Sequence, residues 1–147
     1  NISVLFNELA DSFRPQLEKQ NAHLHINNEL DMILMDSSFI YILLSNFIRN
    51  SLQALPENGG SIGLSAYMTD KRPVIEVTDN GYGIPKDKIE AIVKPFYRVD
   101  KSRSRKTGGV GLGLSICKNI AKLHKADFII ESEEGKGTYA KLIFPSL

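Results

Sequence analysis

Asp79-Asn-Gly-Tyr-Gly-Ile-Pro85 and Gly108-Gly-Val-Gly-Leu-Gly-Leu-Ser115 are the two stretches around which the chain is organised. Between them runs a basic segment, residues 94–107, in which Lys94, Arg98, Lys101, Arg103, Arg105 and Lys106 face only one acid, Asp100. Glycine-rich turns let bare backbone N–H groups approach a ligand closely, and a cationic loop between two of them suits one bearing phosphates. The expected arrangement is a nucleotide pocket closed by the basic loop as a lid.

The elements flanking this stretch follow from periodicity. Leu5, Leu9, Phe13 and Leu17 recur every four residues and predict an amphipathic helix over 4–20, which Pro15 should kink or shift in register. Ala22–Asn27 alternates, with Leu24 and Ile26 on one face and His23 and His25 on the wet face of an edge strand. Met32–Met35 reads as a short apolar strand. Asp36-Ser-Ser38 then offers N-cap oxygens for a helix to about Leu55. Its apolar arc is wide, taking in Phe39, Ile40, Leu43, Leu44, Phe47, Ile48, Ser51, Leu52 and Ala54. Ser45, Asn46, Arg49, Asn50 and Gln53 fill the remaining sector, with Asn46 and Asn50 stacked at its border.

Ile62, Leu64, Ala66 and Met68 alternate as a strand, and Ile75 and Val77 as its hairpin partner. That period aims Asp79 at the core, where a carboxylate is costly unless a donor meets it, although an Asp-Asn-Gly aspartate also caps its own turn. Leu112, Ile116, Ile120 and Leu123 mark a helix beginning at the second glycine cluster, followed by strands over Phe128–Glu131 and Tyr139–Phe144. Helices interleaved with hairpins predict a two-layer α/β sandwich with a mixed sheet, and 147 residues suit a single domain.

Composition narrows the classes. A net charge of +1 leaves no global footprint for nucleic acid or an anionic membrane. Cys117 is the sole cysteine, so no internal disulfide forms, which fits a reducing compartment. No apolar run reaches the ~18 residues of a membrane span. The chain starts at Asn1 without Met, as expected of a fragment. Gly135-Lys136 is followed by glycine, so there is no P-loop, and Leu114 breaks the dinucleotide fingerprint after Gly109 and Gly111.

Four motifs remain, in order: Asn46-Phe-Ile-Arg-Asn50, Asp79-x-Gly81-x-Gly83, Pro95-Phe-Tyr-Arg98 and Gly109-x-Gly111-x-Gly113-Leu114. Together they resemble the N, G1, F and G2 boxes of sensor histidine kinases, the kinase branch of the GHKL ATPases. Ser132-Glu-Glu-Gly-Lys-Gly-Thr138 and Phe144-Pro145 resemble the family's C-terminal hairpin. The resemblance covers residues 1–147 as one ATP-binding catalytic domain and implies ATP and Mg²⁺ as cofactors.

The resemblance assigns roles residue by residue. Asp79 would read the adenine amine, with Gly81 and Gly83 admitting the base and Ile84 packing on it. Asn50 would ligate Mg²⁺ through its amide oxygen, and Asn46 would support it or orient a water. Gly109, Gly111, Leu112, Gly113 and Leu114 would present a helix start to the phosphates. Arg98 and Lys101 would steady the transferring phosphoryl group, Phe96 and Tyr97 would anchor the lid, and Thr138 would sit beside Asp79.

The chain departs from the family's pattern in three places. Gln53-Ala54 replaces a common Lys-Tyr, so the cation and the stacking ring are missing. His124-Lys125-Ala126 replaces His-Gly-Gly, so that turn should differ. No histidine stands in a phosphoacceptor context; His23, His25 and His124 read as structural or surface residues. The implied function is ATP-dependent phosphorylation of a histidine on a separate dimerisation domain, with a response regulator downstream. A cytoplasmic setting is expected, with no nucleic-acid or direct membrane contact. The alternatives are an ATP-hydrolysing GHKL switch, which typically has Glu where Asn46 stands, and a non-catalytic nucleotide-binding docking module.

Overall fold

The computed structural model describes residues 1–83 and 111–146, with Gly111 and Leu112 as backbone only. Helix α1 spans Ile2–Gln20. Its N-cap Asn1 accepts from the Val4 N–H at 3.0 Å, satisfying one of the donors a helix start leaves open. Ile2, Leu5, Phe6, Leu9, Phe13 and Leu17 are buried, so the stripe stays in phase across Pro15 and the expected register shift does not occur.

Strand β1, His23–Asn28, lies at a sheet edge and pairs in parallel with β2, Ser61–Thr69. Parallel neighbours need a crossover, and helix α2, Ser37–Ala54, provides it. β2 turns back into β3, Arg72–Asp79, which pairs with β5, Gly137–Ile143; β5 pairs with β4, Asp127–Glu133. The order is β1-β2-β3-β5-β4, the mixed sheet expected. Met32–Met35 is not a strand. The segment alternates, with Ile33 buried and Met32 and Leu34 exposed, but it pairs with no strand of the sheet.

One face of the sheet carries the core. Ile62, Leu64, Ala66, Ile75, Val77, Ala140 and Leu142 meet Ile40, Leu43, Leu44, Phe47, Ile48 and Leu52 of α2 in one buried cluster. Phe47 stacks on Phe128 of β4 at 5.6 Å between ring centroids. The buried arc of α2 is displaced from the expected one: Phe39 is 44% exposed, whereas Ser45 is buried. α1 lies on this side of the helix, its Ser12 hydroxyl meeting that of Tyr41, one turn before Ser45. The opposite sheet face is polar, with the Tyr67 hydroxyl donating to Glu76 at 2.5 Å and Lys141 at 3.8 Å from the same carboxylate. The Tyr67 phenol is pushed up to about 12 by burial and by the hydrogen bond and charge of Glu76.

Helix α3, Gly111–Leu123, packs on α2. Its buried stripe is Leu114, Cys117, Ile120 and Ala121, while Ile116 and Leu123 are exposed, so the expected Leu112–Ile116–Ile120–Leu123 face is not the inner one. The small residues explain the choice. A Cβ on Gly113 would stand 3.0 Å from Asn46 Oδ1, and Cys117 Sγ lies 3.6 Å from the Leu43 carbonyl, so bulk there would part the helices.

His124 closes the far end. Its Nδ1 is 2.8 Å from the Ile120 carbonyl, and its Nε2 accepts from the Asp36 N–H at 3.0 Å. Those opposed roles require a neutral ring with its proton on Nδ1. The His124-Lys125-Ala126 turn keeps a shape that favours glycine. Lys125 has φ 54°, the Lys125 N–H bonds the Lys122 carbonyl and the Ala126 N–H bonds the Ala121 carbonyl, which is a Schellman cap. The β2–β3 hairpin likewise turns on Asp70 and Lys71, with φ 47° and 62°.

Exposed lysines at left-handed positions carry a conformational cost that glycine avoids. Lys125→Gly and Lys71→Gly should each raise the unfolding free energy by about 0.5–1 kcal/mol in urea denaturation. Lys118→Gly, on the exposed side of α3, should lower it by about 1 kcal/mol.

Candidate nucleotide-binding site

The residues singled out in the sequence converge at the C-terminal half of α2. Asp36 starts the helix by accepting from the Ser38 and Phe39 N–H groups at 3.0 and 3.1 Å, which sets the register that follows. Asn46 then faces the start of α3. Its Nδ2 donates to the Ile42 carbonyl at 3.0 Å, and its Oδ1 accepts from Arg49 at 3.3 Å. One turn on, Asn50 Nδ2 is buried with no hydrogen-bond partner among the described residues. An amide left with one open end can turn about its last torsion and offer either atom.

Asp79 ends β3 directly opposite Ile62 on one side and Thr138 on the other. Its Oδ1 accepts from the Gly81 N–H at 2.9 Å. Ser51 and the Thr138 backbone also favour the ionised carboxylate. A protein donor, the Gly81 N–H, therefore meets the inward-aimed acid in a turn-capping contact. Burial nevertheless raises the Asp79 carboxyl above its ordinary value of 3.8, against Gly81, Ser51 and Thr138, which lower it. Thr138 is placed beside Asp79 as expected, with its hydroxyl 2.7 Å from Ser132 Oγ.

The turn after Asp79 is clamped by backbone. A Cβ on Gly81 would fall 2.4 Å from the Ala54 carbonyl oxygen, one on Gly83 2.2 Å from that of Glu133, and one on Gly137 2.1 Å from that of Asp79. Gly83 and Gly137 also have φ of +73° and +133°. The Tyr82 N–H donates to the Ala54 carbonyl at 3.0 Å, and the Tyr82 carbonyl accepts from the Gly135 N–H. Asn80 Oδ1 accepts from Ser61 at 2.8 Å. The close approach that Gly81 and Gly83 permit is thus, among the described residues, an approach to protein backbone.

Gln53 is half-buried beside this turn, and Gly113 faces Asn46. Leu114 is a core side chain, 4% exposed, which leaves only its backbone for a ligand. The roles expected of Ile84, Phe96, Tyr97, Arg98, Lys101 and Gly109 lie outside the described residues, as does anything resting on the Leu112 side chain. Three contributors were not foreseen as site residues: Ser51, the Ala54 carbonyl and Gly137. A lone hydroxyl in an apolar arc was the one available sign of Ser51. His23 and His25 stand 6.2 Å apart on the exposed edge strand. No three His, Cys, Asp or Glu side chains among the described residues form a metal-holding group. No helix among them is long and apolar enough to cross a membrane.

Comparison with known proteins agrees with this geometry. Residues 35–147 match the family model described as histidine kinase-, DNA gyrase B- and HSP90-like ATPase. The chain is 42% identical over 113 residues to the sensor histidine kinase WalK of Bacillus subtilis, an alignment covering 76% of this chain and 18% of that protein. It is 45% identical over 98 residues to the signal transduction histidine-protein kinase ArlS of Staphylococcus aureus, covering 67% and 22%. The chain thus spans less than a quarter of either curated relative. Among solved structures, the catalytic domain of the histidine kinase ThkA superposes with a TM-score of 0.83 at 26% identity, covering 99% of this chain and 93% of that one. Full-length ShkA in complex with AMPPNP shares the fold, with a TM-score of 0.85 at 24% identity over 99% of this chain and 30% of that one.

Asp79 makes stability depend on pH in a definite direction. Because the fold raises its carboxyl, the stability it contributes is complete below pH 3.8 and is lost as the pH rises through the raised value. Asp79→Asn cannot ionise. Urea unfolding from pH 4 to 8 should show the variant gaining on the wild type as pH rises, then levelling off. A difference independent of pH would refute the burial-raised carboxyl.

Proposed function

Because the chain belongs to the family of histidine kinase-, DNA gyrase B- and HSP90-like ATPases, we propose that it is the ATP-binding catalytic domain of a sensor histidine kinase. It would pass the γ-phosphoryl of ATP to a histidine carried elsewhere in the parent protein, on a dimerisation domain. The observation that carries this reading is the Asp79 carboxylate, anchored by the Gly81 turn that abuts the end of α2, the helix whose Asn46 faces Gly113 of α3. A fixed acceptor can read a base, and a helix start with N–H groups can hold phosphates.

The donor set fits a hard cation held mainly by phosphates. Asn50, with an amide end open, is the residue that would contribute an oxygen to Mg²⁺. When bound, the ion would neutralise phosphate charge during transfer. Gly113 and Asn46 keep the two helices in contact, and Arg98 and Lys101, which lie outside the described residues, would supply cations to the phosphates. Gln53 stands where the family commonly has a cation after the second asparagine, so the phosphates would depend more on Arg98 and Lys101. Asn46 favours transfer over hydrolysis. Its amide is engaged by Ile42 and Arg49, and it has no carboxylate to take a proton from water. The response regulator that follows and a cytoplasmic setting complete the proposal.

Calorimetric titration should show ATP binding that tightens with Mg²⁺. Asp79→Asn should weaken it at least about tenfold, the loss of a charge-assisted hydrogen bond. Normal ATP affinity in that variant would sink the proposed pocket. Supplying the parent's histidine-bearing segment in trans should yield acid-labile phosphate on that segment. Rapid multiple-turnover hydrolysis by the chain alone would favour an ATP-hydrolysing switch.

A further inference from the structure

Helix α2 carries a single charged side chain, Arg49, which follows Asn46 by three residues, precedes Asn50 and is exposed. Its Nη1 donates to Asn46 Oδ1 at 3.3 Å. That same oxygen lies 3.0 Å from where a Cβ on Gly113 would stand, so the guanidinium is one amide away from the first turn of α3. Among the described residues Arg49 makes no ion pair. A bond to an amide oxygen leaves the positive charge uncancelled, and most of the guanidinium's N–H donors remain unspent. Asn46, Asn50 and Gln53 are neutral, so this side of α2 presents a cation without a counter-charge of its own.

The geometry points to Arg49 as a further nucleotide-binding residue: its unspent N–H groups hold the terminal phosphates, with Asn46 as the brace that aims the guanidinium. This rests on the proposed nucleotide site. A guanidinium meets phosphate oxygens through two parallel N–H bonds, whereas a base and a ribose offer no negative charge to match it. Arg49 and Gln53 are four residues apart and therefore neighbours on one helix face. The arginine thus brings to that face the charge that Gln53 lacks. Because the charge is carried on a helix braced against α3, it is in place before any nucleotide arrives.

The test is titration of the 147-residue chain with ATP and with AMP at low ionic strength, where an exposed charge is least screened. Arg49→Ala should weaken ATP about five- to tenfold and AMP less than about twofold, because AMP lacks the terminal phosphates. Arg49→Lys keeps the charge without the fork and should bind ATP with intermediate affinity. Alanine suits an exposed helix position, and urea unfolding checks that both variants are folded. Equal losses for ATP and AMP, or no loss for ATP, overturn the inference. A double-mutant cycle separates direct contact from an effect passed through Asn46. The ATP loss on Arg49→Ala should persist in an Asn46→Ala background; if it vanishes there, Arg49 only positions Asn46 and the assignment is wrong. Asp79→Asn keeps the two levels apart. Normal ATP binding in that variant refutes the nucleotide site itself, whereas weakened ATP beside an unaffected Arg49→Ala refutes the role of Arg49 alone.

Discussion

Helix α2 is fastened at both ends by parts of the chain distant in sequence. At its start, the Asp36 N–H is accepted by His124 Nε2; at its end, the Ala54 carbonyl accepts from Tyr82. Between these ties, Leu43 meets Cys117 and Asn46 meets Gly113. The helix can neither slide nor roll without breaking several contacts at once, because packed interiors deform little. Asn46, Asn50, Ser51 and Gln53 inherit their positions from it. The proposed base end and the proposed phosphate end of the site would consequently be held at one spacing by one rigid element.

This rigidity has a thermodynamic counterpart at Asp79. Gly81, Ser51 and Thr138 favour the carboxylate, yet burial outweighs them. A purely structural position would do better with a neutral side chain, since an apolar or amide group incurs a smaller desolvation cost. The fold keeps an acid where an acid lowers its stability, and a binding role for that acid explains the arrangement. Stability is given up at a point where a ligand's donor would return it.

How far the sequence could be read depended on whether a feature is local. Alternation in Ile62–Ala66 and Ile75–Val77, the Asp36 cap and the α1 stripe are local patterns, and each appears in the structure. Met32–Met35 has a strand's alternation but no partner, and partnership is a tertiary fact. Helix α3 carries two apolar stripes of similar spacing. The small residues Gly113 and Cys117, whose value appears only once α2 lies against them, select the inner one. Motif order suggested that Asp79, Asn46, Asn50 and Thr138 belong to one site, whereas the groups that favour an ionised Asp79 come from three separate elements. Lys125 shows the converse, since a residue with poor propensity for a left-handed cap adopts it because the helix must end there.

The glycines around the Asp79 turn bear on how such a chain can change over generations. Gly81, Gly83 and Gly137 each come closest to the backbone of another segment. A clash with a side chain can be relieved by a smaller residue at the second position, so such pairs drift together. Main chain has no smaller version. Substitution at any of the three has no single compensating partner, and the alternatives are a shift of an entire segment or loss of the turn. The most invariant part of this surface should therefore be set by where peptide groups touch, independently of what the site binds.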